Sequence, residues 1–207
     1  VCATYWLGDS IDIEITNVLA ELNIRISYDT ASEDNIYAET TIKTGDVYPK
    51  QLSGVITKLD TEFALRFAYW GFKRDEKNVV YNSRADKVSS SYFWKSAYQN
   101  NRGFIVCDGF YENKRNEKGE NIKYRFSYPT PEPIYIAAIL TDSNVGEANE
   151  NNYYSLITTT ANSSVSPIHH RMPLILNKAQ LYDWVTDIKL ADNLLTSDMP
   201  QLSYLAV

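Results

Sequence analysis

The sequence predicts an α+β domain in which a mostly antiparallel sheet system is flanked by a few helices. Two observations lead there. Stretches of aromatic and β-branched residues, bounded by turn-forming residues, recur through the middle of the 207-residue chain. Apolar residues at helical spacing occur near its start and again near its end.

Taken in order, Ser10 has the chemistry of an N-cap. Ile15, Val18, Leu19 and Leu22 follow at helical spacing, so a helix is expected to about Leu22. Phe63 to Tyr69, Gly103 to Tyr111, Ile122 to Tyr128, Ile134 to Leu140 and Tyr153 to Thr160 each read as a strand. Lys178 to Val185 reads as a short helix with Leu181, Trp184 and Val185 on its apolar face. Between these, Asn116 to Asn121 is charged and holds Gly119, which suits a hairpin loop, and the three prolines of Tyr128 to Pro133 dictate a rigid turn. Thr141 to Asn152 is acidic and asparagine-rich and is expected to be an exposed loop. None of these breaks has the character of a linker, and residues 1–207 read as one domain.

Composition narrows the function classes. With 44% hydrophobic and 22% charged residues the chain is globular. Two cysteines 105 positions apart make no disulfide framework and fit a reducing compartment. No apolar run is long enough to span a membrane, and the first residues lack a signal peptide's basic and apolar regions. A cytoplasmic monomer is the expectation. A net charge of −6 and a pI near 5.0 exclude a broad basic coat for duplex DNA, so any nucleic-acid site must be local. There is no metal-ligand spacing and no phosphate-binding glycine loop, so no cofactor is expected.

Cys2 carries the most specific chemistry. If residue 1 is removed, Cys2 presents an α-amine and a thiol on adjacent carbons, and such a 1,2-aminothiol captures an aldehyde twice. The amine forms an imine, and the sulfur then closes a thiazolidine ring. With Val1 attached, the Cys2 nitrogen is an amide whose delocalised lone pair cannot form the imine. Against this stands the ordinary fate of a free cysteine, burial as a small hydrophobe. Three segments favour chemistry: Asn82-Ser83-Arg84-Ala85-Asp86, Asp108-Gly109-Phe110-Tyr111-Glu112 and Ile168-His169-His170-Arg171-Met172-Pro173. They supply an amide, a carboxylate, an imidazole and two guanidinium groups.

Together with Trp70-Gly71 and Thr159-Thr160-Ala161-Asn162, in this order and spacing, these segments resemble the SRAP family, the SOS-response-associated peptidase or abasic-site-processing proteins. The resemblance runs over nearly the whole chain. It implies the compact single-domain SRAP fold, with curved sheets around an active site at the N-terminus, and a partner in single-stranded DNA carrying abasic sites. A ring-opened abasic site supplies the aldehyde that Cys2 would capture as a DNA–protein crosslink. On the family pattern Asn82 orients the adduct, while Glu112 and His169 move protons. His170 falls at the variable position, and in an extended segment it would point away from His169. Arg84 and Arg171 are expected on phosphates, or in internal salt bridges with Asp86 or Asp108. Trp70 and Phe72 are expected to stack on a base beside the lesion, or to pack in the core.

The chain departs from the family at three places: Thr4 stands at the usual arginine, Asp86 at the usual glutamate and Asn113 at the usual tryptophan. Two other classes stay open. In one, the Cys2 thiol attacks an amide with its own amine as base, as in an N-terminal-nucleophile hydrolase. In the other, the protein is a binding module without chemistry.

Overall fold

The computed structural model describes residues 2–29, 42–75, 77–141 and 152–207. It is an α+β architecture of two main sheets with helices against them. The first helix, Ile11–Asp29, starts directly after Ser10, whose carbonyl accepts the Glu14 N–H. Ile11, Ile15, Val18, Leu19 and Leu22 lie buried along one stripe. The helix runs past Leu22 because its next turn is also held: the Asn23 side chain exchanges two hydrogen bonds with the Phe63 main chain, at 2.8 and 3.0 Å.

The larger sheet has the order Arg171–Pro173, Tyr153–Thr160, Glu62–Trp70, Leu52–Leu59, Arg102–Cys107, Ile134–Leu140, Ile175–Leu176. Ile134–Leu140 also pairs with Tyr153–Thr160, so the path closes on itself. All residues of Arg102–Cys107 and Ile134–Leu140 are buried, which is why these strands read as continuous apolar runs without alternation. Pairing is antiparallel except where Tyr153–Thr160 meets Glu62–Trp70 and the short strand Asn82–Arg84. The smaller sheet runs Ser203–Ala206, Asn121–Ser127, Gly109–Arg115, Tyr5–Leu7, Gly45–Val47.

One expected strand is two. The stretch read as Gly103 to Tyr111 divides at Asp108, with Arg102–Cys107 in the larger sheet and Gly109–Arg115 in the smaller. Asp108 fixes the crossing, since its N–H donates to Trp6 O and its Oδ2 accepts the Gly8 N–H at 2.7 Å. Gly109 permits it: a Cβ there would lie 2.5 Å from Phe126 O. The switch sets Glu112 in the smaller sheet beside the chain that leads from Cys2 into Tyr5–Leu7, because Thr4 O accepts the Tyr111 N–H and Tyr5 pairs with Phe110.

The expected late helix begins as a 3-10 turn, Lys178–Gln180, closed by reciprocal Asn177 and Gln180 hydrogen bonds. It continues as the α-helix Leu181–Thr186. Trp184 Nε1 donates to Gly103 O, and the buried Arg102 guanidinium donates to the carbonyls of Trp184, Val185, Tyr98 and Gln99. The hairpin at Asn116 to Asn121 forms with Gly119 at φ +82°. Most of the loop expected at Thr141 to Asn152 lies outside the described residues. Among those described, no helix is long and apolar enough to cross a membrane.

Candidate active site

Cys2 is fully buried and its main chain is held from both sides. Its N–H donates toward the Glu112 carboxylate, and its C=O accepts from Asn82 Nδ2 at 2.7 Å. Its Sγ lies 3.5 Å from Thr4 O. Burial pushes the thiol well above its ordinary range, and the charges of Glu112 and Cys107 add to the shift. The resting sulfur is therefore a neutral thiol.

Glu112 is 3% exposed. Burial raises its carboxyl to about 7, against hydrogen bonding that includes the Cys2 N–H. His169 Nδ1 is 3.8 Å from Glu112 Oε1, 3.0 Å from the Arg171 carbonyl oxygen and 3.1 Å from the Arg171 nitrogen. With its proton on Nδ1 it donates to that carbonyl and leaves Nε2 as the basic nitrogen, and in the other tautomer it accepts the Arg171 N–H. Burial lowers the pKa of this imidazole and keeps it neutral at pH 7. Asn82 comes in on the short strand that pairs with Leu156, Ile157 and Thr158. Its Oδ1 is buried with no hydrogen-bond partner among the described residues. An acceptor left open beside the Cys2 carbonyl suits a donor arriving with a substrate.

The structure thus brings Cys2, Asn82, Glu112 and His169 together, from four separate parts of the sequence. It treats the other candidates differently. Trp70 is fully buried, stacked on Tyr154 at 6.2 Å and packed against Tyr5 at 5.2 Å, with Nε1 bonded to Tyr81 O. Phe72 is 6% exposed among Phe93 and Trp94. Neither ring has a free face for a base, so the stacking role expected of them gives way to the core role. The two histidine rings do not diverge: they lie 4.4 Å apart, because they end a run of turns and are not extended. His170 is the exposed one.

Arg84 is exposed and makes a two-pronged pair with Asp86, at 2.9 and 2.7 Å. Arg171 bonds the Thr158 carbonyl and hydroxyl and has no bond to either aspartate among the described residues. Both guanidinium groups, with Asp86 and residues 195–199, line a cavity of about 500 Å³. Thr4 is buried, so this position offers nothing to a phosphate, whereas Asn113 is exposed. Sequence reasoning missed a buried polar cluster beside Cys2, in which Tyr5 OH bonds Ser53 Oγ at 2.6 Å and Tyr154 OH at 2.8 Å. Lone hydroxyls inside apolar strands were its only signal. Among the described residues no group of three His, Cys, Asp or Glu side chains is arranged to hold a metal ion.

Comparison with known proteins places the fold that brings these residues together. The family model for SOS response associated peptidase (SRAP) matches residues 14–204, and the chain belongs to this family. It is 26% identical over 135 residues to the abasic site processing protein YedK of Escherichia coli (strain K12), a match covering 63% of this chain and 59% of that protein. It is 29% identical over 122 residues to the abasic site processing protein YoqW of Bacillus subtilis (strain 168), covering 56% and 54%. The chain thus spans between half and three fifths of the length of these curated relatives. Among solved structures, a phage-related protein from Bordetella bronchiseptica aligns over 100% of this chain and 94% of its own, with a TM-score of 0.74 at 18% identity. A protein from Bacteroides thetaiotaomicron aligns over 100% and 92%, with a TM-score of 0.71 at 20% identity.

Proposed function

We propose that this protein, when its chain begins at Cys2, captures ring-opened abasic sites in single-stranded DNA as a thiazolidine. The observation that carries the reading is the placement of the Cys2 nitrogen against Glu112, with the Cys2 carbonyl fixed by Asn82. A free amine at that nitrogen would share a proton with Glu112. Burial disfavours the charged pair, so the proton rests on the carboxyl and leaves the amine nucleophilic.

The steps then balance. The amine adds to the aldehyde carbon and gives a carbinolamine, Glu112 protonates its hydroxyl, and water leaves to form the imine. Sγ attacks the imine carbon while its proton passes to the nitrogen, closing the ring with the loss of one water overall. His169, neutral and within 3.8 Å of Glu112, is suited to take the sugar hydroxyl proton as the deoxyribose opens. Asn82 Oδ1 would accept a hydrogen bond from the carbinolamine. Arg84 and Arg171 would hold flanking phosphates, with Arg84 exchanging Asp86 for the incoming anion. The names of the related abasic site processing proteins support the choice of lesion.

The test compares Cys2→Ala and Cys2→Ser with the parent, each beginning at residue 2, against single-stranded DNA with one abasic site. A denaturation-resistant adduct is expected with the parent, none with alanine, and at most a weak oxazolidine with serine. A crosslink of parental yield in Cys2→Ala contradicts the mechanism. Amide hydrolysis retained by Cys2→Ser, with no adduct from the parent, would move the protein to the N-terminal-nucleophile hydrolases.

A further inference from the structure

Residues 72–95 hold six lysines and arginines against three acidic residues, a positive segment in a chain of net charge −6. The same segment carries an unusual exposure of aromatic surface. Tyr92 is 102% exposed and Phe93 39% exposed, in a polar setting that follows Ser89, Ser90 and Ser91. Phe93 is held in place from below, edge-on to Trp94 at 4.4 Å and 6.1 Å from Phe72, while Phe72 and Trp94 are buried 5.0 Å apart. Lys87 and Lys95 flank the pair and are exposed.

This feature is tied to the active site through one continuous piece of chain. Phe72 pairs with Val80, Tyr81 packs on Trp70, and Asn82 reaches Cys2. The Asn82–Arg84 strand then runs into the helix Ala85–Val88, and turns bonded Ser91 N to Lys87 O and Trp94 N to Ser91 O carry the chain through Tyr92 and Phe93. Exposed aromatic faces among cations are the elements with which proteins hold single-stranded nucleic acid, since stacking accepts any base and cations follow the backbone. Positive charge alone would also suit an acidic protein; the open rings beside it add base stacking, which favours a single-stranded polyanion.

We propose that Tyr92 and Phe93, framed by Lys87 and Lys95, form a stacking platform for bases of single-stranded DNA lying beside the lesion. The choice of DNA as the polymer rests on the crosslinking reading above. The platform takes the role that the buried Trp70 and Phe72 cannot fill.

The test is fluorescence anisotropy with a labelled single-stranded oligothymidine that contains no abasic site, so that no aldehyde is present and Cys2 takes no part. Tyr92 is fully exposed, so its replacement leaves the fold intact. Tyr92→Ala should weaken binding about tenfold, as expected for one lost base stack, and Tyr92→Trp should restore it. Lys87→Gln should flatten the dependence of log affinity on log salt by about 0.7. Parental affinity in Tyr92→Ala overturns the proposal, whatever Lys87→Gln does. A parent protein that binds this DNA but never crosslinks abasic DNA would sink the crosslinking reading and leave the platform standing.

Discussion

Glu112→Gln removes a carboxyl whose acidity is set by burial, and the effect on stability has a definite sign. In the unfolded chain this group titrates near 4.5, and in the fold near about 7. A raised carboxyl favours the folded state while it is protonated there, so its contribution is full below pH 4.5 and is lost as pH rises through 7. At about 1.4 kcal/mol per pK unit, the span amounts to about 3 kcal/mol as an upper figure. The glutamine variant lacks this term but keeps the side-chain volume. Urea unfolding of parent and variant at intervals from pH 4 to 8 reads it directly. The parent's stability minus the variant's should fall by up to about 3 kcal/mol between pH 4.5 and 7. A difference that stays flat across that window means that Glu112 titrates as an exposed carboxyl does, and the proton relay assigned to it fails.

Two further outcomes follow from the same structure. Burial lowers the His169 pKa, so its contribution has the opposite sign: it is present above the unfolded value of 6.5 and lost as pH falls below it. His169→Gln should therefore lose less stability than the parent on acidification below pH 6.5 in the same urea series, and an unchanged acid slope would refute burial of the imidazole. Gly109→Ala would drive a Cβ to 2.5 Å from Phe126 O, where main chain cannot yield cheaply, and should cost about 1–3 kcal/mol. Calorimetry showing an unchanged melting temperature would mean that the sheet switch at Asp108 is not as tight as described.

How much of this was legible beforehand depends on the range of the interaction. Strands such as Ile134–Leu140 and Tyr153–Thr160 were readable because their composition is local, and the first helix as far as Leu22 because its apolar stripe repeats to there. The division of Gly103 to Tyr111 was not, since nothing in that apolar run reveals that Asp108 bonds Trp6 and Gly8 from the start of the chain. Strand Leu52–Leu59 was also passed over, because Ser53, Gly54 and Thr57 interrupt its apolar residues, although Ser53 and Thr57 find partners inside the fold. In the site, residue types suggested chemistry, but the convergence of positions 2, 82, 112 and 169 came only through family resemblance. Trp70 shows the limit of reading a residue by its type: a tryptophan after a strand is more commonly core but also suits a base platform, and only its neighbours Tyr5, Tyr81 and Tyr154 decide.

The central claim is that the Cys2 nitrogen and sulfur both bond to one aldehyde carbon, and intact mass of the denatured protein after incubation with abasic single-stranded DNA tests it most directly. The account predicts a single adduct equal to the chain beginning at Cys2 plus the DNA, less one water, with N-terminal sequencing blocked at Cys2 and with a mass unchanged by borohydride, which would add two hydrogens to an open imine. A ring-closed adduct of that composition on a chain that still carries Val1, or an adduct that persists in Cys2→Ala, would contradict it.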